Sequence, residues 1–149
     1  MRWQTMVRSR PWSSLEGTTT HYAAGHERLI DTVGHLVDQE IPVAAICGAT
    51  LLLARGGFLD AHLHTSNAAS YLEASGYRGG THYVEMPVVT DRGVTTASGI
   101  HAVPFTAEVM RITGLVPDAM ADAWEQVFLN AGEKDYMALM EATAAWQNS

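Results

Sequence analysis

An apolar run that ends at a Cys-Gly pair is the feature that most restricts how this chain can fold. Residues 41–46 carry no polar side chain, as in a strand that helices cover on both faces, because neither face then meets water. Cys47 and Gly48 follow at once, and residues 49–55 have a helical composition. A strand that passes directly into a helix places the residue at the junction on a tight turn.

The segments around this junction alternate between helical and strand patterns. A 3.6-residue apolar period predicts an amphipathic helix from about Ala24 to Gln39, which Pro42 ends. The sequence further predicts a strand over 63–66, a helix over 68–74, a strand pair over 88–97 that turns at 91–93, and helices over 104–113, 118–130 and 136–146. This alternation is typical of a doubly wound α/β sheet.

The helix predicted over 118–130 has a defined start and a defined apolar face. Asp118 is expected to cap its amino end. The residues expected to be buried on it are Met120, Trp124, Val127 and Phe128.

Composition and charge limit the class of protein. The 149 residues, 47% hydrophobic and 17% charged, are interpreted as one globular domain over 1–149, with 1–20 poorly patterned. A formal net charge of −7 argues against nucleic acid as a partner. No run has the roughly 20 apolar residues of a membrane span, and the first residues lack the apolar core of a secretory signal. The single cysteine cannot form an internal disulfide, which favours the cytoplasm.

Cys47 is the residue to which this pattern assigns chemistry. We expect it at the carboxyl end of a parallel strand, where open α/β sheets place ligands. The amino end of the following helix favours a thiolate, and the backbone N–H of Gly48 is a candidate oxyanion donor. The pattern is equally consistent with a small buried hydrophobe at this position. Spacing alone identifies no general base.

Several ordered motifs resemble the PfpI intracellular-protease family of the DJ/PfpI superfamily, which has the class I glutamine amidotransferase-like fold. The resemblance runs from about His26 to Ile112. It is carried by residues 43–50, 54–60, 64–67, 89–99 and 105–110. It implies a flavodoxin-like three-layer α/β/α sandwich with a mostly parallel sheet, a reactive cysteine at Cys47 and frequent dimerisation.

The chain also departs from the pattern of that family. Such proteins begin with a strand, a helix and a strand that supply a carboxylate, and a Pro-Gly-Gly loop follows. This sequence starts after the first of these, and it reads Arg-Ser-Arg-Pro-Trp over 8–12 where the loop is expected. It is therefore interpreted as a member shortened or diverged at its amino terminus, whose missing strand would leave a sheet edge exposed. Upstream residues that restore the enzyme are a further alternative.

Histidines are the remaining candidates for chemistry. His64 is expected to orient or deprotonate the cysteine, although the downstream histidine of some relatives corresponds more closely to Ser66. His62 and His64 would share one face of a strand, but without a third ligand we predict no metal site and no other cofactor. Two roles are open for His101, at the start of a helix, which is favoured, or in the lining of a pocket. Two are also open for Glu85, a solvated loop charge, which is favoured, or an acid near the site.

Two functional hypotheses of different classes result. In the first, the chain is a cysteine hydrolase or lyase acting on a carbonyl or amide of a small molecule or peptide, with Cys47 as nucleophile and Gly48 as oxyanion donor. In the second, it is a non-catalytic or redox-responsive shortened member that serves as an oligomeric interaction module. A homodimer or other oligomer is expected, with no nucleic acid and no membrane as partner.

Overall fold

The structure is a computed structural model that describes residues 19–148, with side chains from residue 26 onward. Its elements are α1 (Thr19–Asp38), β1 (Val43–Ile46), α2 (Gly48–Arg55), α3 (Ala69–Glu73), β2 (Val88–Asp91), β3 (Val94–Ala97), α4 (Ala102–Thr113), α5 (Asp118–Asn130) and α6 (Glu133–Gln147). Apart from Thr19 and Thr20, which begin α1, the prediction for residues 1–20 lies outside the described residues. No helix in the described part of the chain is both long and apolar enough to cross a bilayer.

The three strands form one mixed sheet in the order β1-β3-β2. β1 and β3 are parallel, with Val43 opposite Val94, and β2 and β3 are antiparallel, with Asp91 opposite Val94. Arg92 and Gly93 connect β2 to β3 with φ values of 47° and 80°. Positive φ at both turn residues matches the twist of a two-residue hairpin. The predicted strand pair is confirmed, and β1 is an edge strand of the described sheet.

Helices lie on both faces of this sheet. Val33 of α1, Leu53 of α2 and Leu72 of α3 pack with Val43 and Val94 in one apolar cluster. The next residue of β3, Thr95, faces the other way, because side chains alternate along a strand. The Thr95 hydroxyl lies 2.9 Å from that of Thr90, which donates to Glu108 of α4. The arrangement is a three-layer α/β/α sandwich of the flavodoxin-like kind, as predicted.

Residues 63–66 differ from the prediction, since they do not form a strand. Only His64 makes a β-bridge there, to Tyr83. The neighbouring backbone donors are taken by side chains: Leu63 N–H donates to Asp91 Oδ2 at 2.8 Å, and Thr65 N–H to Thr96 Oγ1 at 2.9 Å. The bond from Leu63 is also the main reason that the pKa of Asp91 is lowered.

α5 has the predicted bounds, but two details of its prediction are wrong. Pro117 occupies the capping position without a side-chain hydrogen bond, so Asp118 is the first helical residue. Phe128 is 58% exposed and lies against Trp124, with ring centroids 4.5 Å apart. The fully buried residue of α5 is the small Ala121, which lets α5 pack closely between α4 and α6.

Candidate active site

Cys47 forms the junction between β1 and α2 in an uncommon backbone conformation, with φ 55° and ψ −122°. A positive φ at a residue with a side chain costs about 1–3 kcal/mol, so surrounding bonds must maintain it. Cys47 N–H donates to Ala97 O of β3 at 3.0 Å. Thr50 N–H and Thr50 Oγ1 both donate to Cys47 O, at 3.2 and 2.6 Å. The predicted tight turn from strand to helix is confirmed.

A buried pair of hydroxyls lies beneath this turn. Thr50 Oγ1 is 2.7 Å from Ser66 Oγ, and both residues are buried. Thr50 has one hydroxyl proton, which it gives to the Cys47 carbonyl, so Ser66 must be the donor to Thr50. The Tyr83 hydroxyl in turn donates to Ser66 O at 3.3 Å. This chain of bonds connects the turn to the loop after residue 64.

The Cys47 sulfur has two close neighbours from other segments. Asn67 Nδ2 lies 3.5 Å from Sγ, and Asn67 Oδ1 accepts a hydrogen bond from Gly99 N at 2.9 Å. A Cβ atom at Gly99 would lie 3.0 Å from the sulfur, so glycine at this position leaves room for the thiol. Cys47 itself is exposed. Cys47 is therefore an exposed residue, in contrast to the alternative of a buried hydrophobe.

Gly48 is the first residue of α2. The N–H groups of the first residues of a helix have no intrahelical acceptor. Those of Gly48 and Ala49 therefore have no acceptor within α2, and the helix dipole favours negative charge at this end of the helix. The oxyanion role of Gly48 stays a prediction.

Two cavities flank the turn. One of about 450 Å³ includes Asn67, Ser98 and His101 among its polar lining, with Met86 and Ile100 on its apolar side. His101 Nδ1 lies 2.7 Å from Ser98 Oγ. The other, of about 440 Å³, is lined in part by Gly48, Ala49, Leu52 and Tyr71. The two cavities include sequence or hydrogen-bond neighbours of Cys47, Gly48 in one and Asn67 in the other, while Cys47 itself lines neither.

Glu85 and His101, for each of which the sequence analysis left two positions open, are both pocket residues. Both line the cavity that contains Asn67. His101 also immediately precedes α4, so the expected position at the start of a helix is confirmed and the residue lines the pocket as well.

His64 is fully buried rather than exposed at the site. Its Nδ1 lies 2.7 Å from His62 O, and its Nε2 lies 3.2 Å from the Tyr77 hydroxyl. Because a carbonyl only accepts, Nδ1 carries the proton and Nε2 accepts from Tyr77. Desolvation lowers the pKa of His64, which favours this neutral form. Neither of these two bonds goes to the cysteine, and the catalytic role of His64 stays a prediction.

A metal has no preformed site among the residues that the structure describes. No group of three or more histidine, cysteine, aspartate or glutamate side chains is arranged there to hold one. The His62 and His64 pair lacks a third ligand, and both ring nitrogens of His64 have hydrogen-bond partners.

The sequence analysis did not identify Thr50, Asn67 or Gly99 as individual site residues. Each lies in a segment that carries the resemblance, but a sequence gives no direct signal that 67 and 99 converge on residue 47. The convergence comes from the parallel pairing of β1 with β3 and from the bridge of His64 to Tyr83.

Comparison with known proteins connects this geometry to relatives. The family model described as "DJ-1/PfpI family" matches residues 17–112. Uncharacterized protease YoaZ of Bacillus subtilis is 38% identical over 109 residues, which are 71% of this chain and 52% of that protein. Uncharacterized protease YdeA of the same organism is 34% identical over 89 residues, 58% of this chain and 45% of that protein. The chain thus spans about half the length of the curated relatives it matches.

Solved structures agree with these matches. A thiJ/pfpI family protein from Bacillus anthracis superposes with a TM-score of 0.73 at 31% identity, over 78% of this chain and 56% of that one. The DJ-1 superfamily protein Atu0886 from Agrobacterium tumefaciens superposes with a TM-score of 0.62 at 37% identity, over 67% and 54% respectively. The fold around Cys47 is therefore shared with both.

Proposed function

The chain belongs to the DJ-1/PfpI family, and from that premise we propose that it is a cysteine hydrolase or lyase acting on a carbonyl or amide carbon through Cys47. The observation that carries the proposal is the exposed Cys47 sulfur on a turn with φ 55°, directly before a helix. The names of the two Bacillus subtilis relatives include the word protease, which supports a hydrolase without specifying a reaction.

In the proposed reaction the Cys47 thiolate attacks the carbonyl carbon. A carbon–sulfur bond forms as the π electrons of the carbonyl move to its oxygen, and the N–H groups of Gly48 and Ala49 stabilise that oxyanion. With an amide, the oxyanion collapses to a thioester as the carbon–nitrogen bond breaks, and the amine leaves with a proton from solvent. Water then hydrolyses the thioester to a carboxylic acid and regenerates the thiol. With an aldehyde, the adduct is a hemithioacetal.

His64 contributes to this reaction indirectly. It packs edge-on against Tyr83, with ring centroids 5.8 Å apart, and Tyr83 donates to Ser66 O. Ser66 in turn bonds Thr50 beneath the nucleophile. We therefore assign His64 to the support of the site, not to proton transfer at sulfur.

The test is turnover of methylglyoxal, glutamine and a peptide by the wild-type chain and by Cys47→Ser. We expect one of the three to be consumed and the variant to lose about 10³-fold or more of that rate. The control is Thr32→Val, an exposed change on α1, which should keep the wild-type rate. Equal rates for the wild type and Cys47→Ser would contradict the proposal.

A second function is favoured by a different observation. β1, which carries Cys47 at its end, is an edge strand of the described sheet, and an exposed edge is suited to pairing with another chain. In this alternative the chain is a non-catalytic or redox-responsive interaction module. Its thiolate takes one oxygen atom from a peroxide, which is reduced to water or an alcohol, and the resulting sulfenic acid is returned to the thiol by a low-molecular-weight thiol that is itself oxidised to a disulfide. Turnover that Cys47→Ser abolishes would exclude it.

Partners and compartment belong to the same proposal. The substrate is a small molecule or a peptide, and the chain forms a homodimer or another oligomer. The net charge of −7 supports the exclusion of nucleic acid. The single cysteine supports a location in the cytoplasm, where thiols stay reduced.

A further inference from the structure

The orientation of the Asn67 carboxamide is determined by its surroundings. Gly99 N–H can only donate a hydrogen bond, and it lies 2.9 Å from one end of the carboxamide. That end must be the oxygen, so the amino group at the other end points at Cys47 Sγ, 3.5 Å away. The side chain thus presents a donor to the sulfur and no acceptor.

The segment that carries Asn67 and the segment that contains Gly99 are each held by further hydrogen bonds. Residues on the amino side of Asn67 are held by Thr65 N–H, which donates to Thr96 Oγ1, and by Ser66 Oγ, which lies 2.7 Å from Thr50 Oγ1. Gly99 follows Ser98, whose hydroxyl bonds His101. Asn67 is therefore held between two anchored segments, although its own side chain is exposed.

The chemistry of this contact favours one state of the sulfur. A hydrogen bond to an ionised acceptor is stronger than one to its neutral form, so an N–H donor stabilises the thiolate over the thiol. The carboxamide itself does not titrate, so the Asn67 side chain remains a hydrogen-bond donor to the sulfur at every pH. The bond also limits rotation of the sulfur about the Cα–Cβ axis.

We propose that Asn67 is the positioning residue of Cys47, holding its sulfur in one rotamer and stabilising the thiolate through the Gly99-anchored carboxamide; this rests on the proposed function of Cys47 as nucleophile. Asn67 acts through the sulfur, by position and by hydrogen bonding.

The matched variant is Asn67→Asp. It retains an oxygen for Gly99 N–H, but it replaces the donor beside the sulfur with a negatively charged acceptor. We expect the midpoint of the curve of iodoacetamide alkylation rate against pH to rise by about one unit or more. At a pH below both midpoints the alkylation rate then falls about tenfold, while the plateau rate at high pH stays within about twofold of the wild type.

Two further variants complete the experiment. Asn130→Asp adds the same charge at the end of α5 and should leave the midpoint unchanged. Asn67→Ala removes the donor without adding charge, so a smaller upward shift is expected, and it serves as the decisive variant if the aspartate variant does not fold. A merely structural role for Asn67 would lower stability without moving the midpoint.

The outcomes separate this inference from the proposed function. A midpoint in Asn67→Ala equal to that of the wild type overturns the inference, whatever the aspartate variant does, because the added charge alone can move the latter. A wild-type midpoint at or above about 8.5, the value of free cysteine, removes the activated nucleophile of the proposed function. If the midpoint then still rises in Asn67→Ala, which removes the donor without adding charge, the Asn67 contact is real although the catalytic proposal fails.

Discussion

At the scale of single residues, Thr50 maintains the conformation of the nucleophile. Its hydroxyl donates to Cys47 O at 2.6 Å and accepts from Ser66. We expect Thr50→Val to destabilise the fold by about 1–3 kcal/mol in urea unfolding, because Ser66 is left with an unpaired buried hydroxyl. The alkylation rate of Cys47 at high pH should fall as well.

Thr32→Val is the matched control for that change. Thr32 is exposed on α1, and its hydroxyl bonds Arg28 O within the same helix. The expected change in unfolding free energy is within about 0.5 kcal/mol. Similar losses in both variants would show that the hydroxyl pair beneath the turn has no special role.

His64 makes stability depend on pH. Desolvation lowers its pKa in the folded chain below the ordinary value of 6.5, so below that pH the unfolded chain binds a proton that the folded chain does not. The contribution of neutral His64 is therefore complete above about pH 6.5 and is lost as the pH falls toward the folded pKa.

The measurement is urea unfolding from about pH 5 to 8. His64→Asn retains a donor for His62 O but cannot take up a proton, so the fall in stability on the acid side should become shallower. His35→Asn, on the exposed surface of α1, serves as the control and should keep the wild-type slope. If stability falls as steeply with decreasing pH in His64→Asn as in the wild type, His64 is not the cause of the pH dependence.

At the scale of elements, pattern and turn chemistry predicted most of the helices and strands. The junction at Cys47, the hairpin at Arg92 and Gly93 and the bounds of α5 follow from local rules. Residues 63–66 escaped prediction because their backbone donors bond to side chains of distant residues. Phe128 is exposed although it lies about two turns from the buried Ala121 on nearly the same face of α5, so the apolar period alone did not predict its exposure.

Two adjacent glycines allow a test of close packing between elements. Gly79 is buried, and a Cβ atom there would collide with the Leu59 carbonyl oxygen, whereas a Cβ atom at Gly80 would have no neighbour within 4 Å. We expect Gly79→Ala to cost about 1–3 kcal/mol or more of unfolding free energy, and Gly80→Ala to be nearly neutral. Equal stabilities in urea unfolding would refute the close approach.

At the scale of the whole molecule, the tight turn at Cys47 could be predicted from the sequence, but the residues that contact its sulfur could not. Residue 47 follows from composition along one segment. Asn67 and Gly99 reach the sulfur only after the pairing of β1 with β3 brings distant segments together. Site residues supplied by such long-range contacts leave no periodic trace in a single sequence.

The exposed apolar surface of the molecule bears on its oligomeric state. β1 is an edge strand of the described sheet, and the outer helices expose large apolar side chains, including Phe128, Met137 and Met140. We expect light scattering to give at least twice the mass of one chain, because such surfaces favour association. The mass of a single chain across the micromolar range would contradict the proposed homodimer or other oligomer.

The polar interior beneath Cys47 has a consequence for how the chain tolerates sequence change. Near the amino ends of the strands, Val43 and Val94 are held by shape, so aliphatic exchanges of equal volume should be accepted there. Near the carboxyl ends, the Thr50, Ser66 and Thr96 hydroxyls are each committed to a specific partner. Tolerance to substitution should therefore decrease from the amino ends of β1 and β3 to their carboxyl ends. At the carboxyl ends, removal of one hydroxyl leaves its hydrogen-bond partner unpaired.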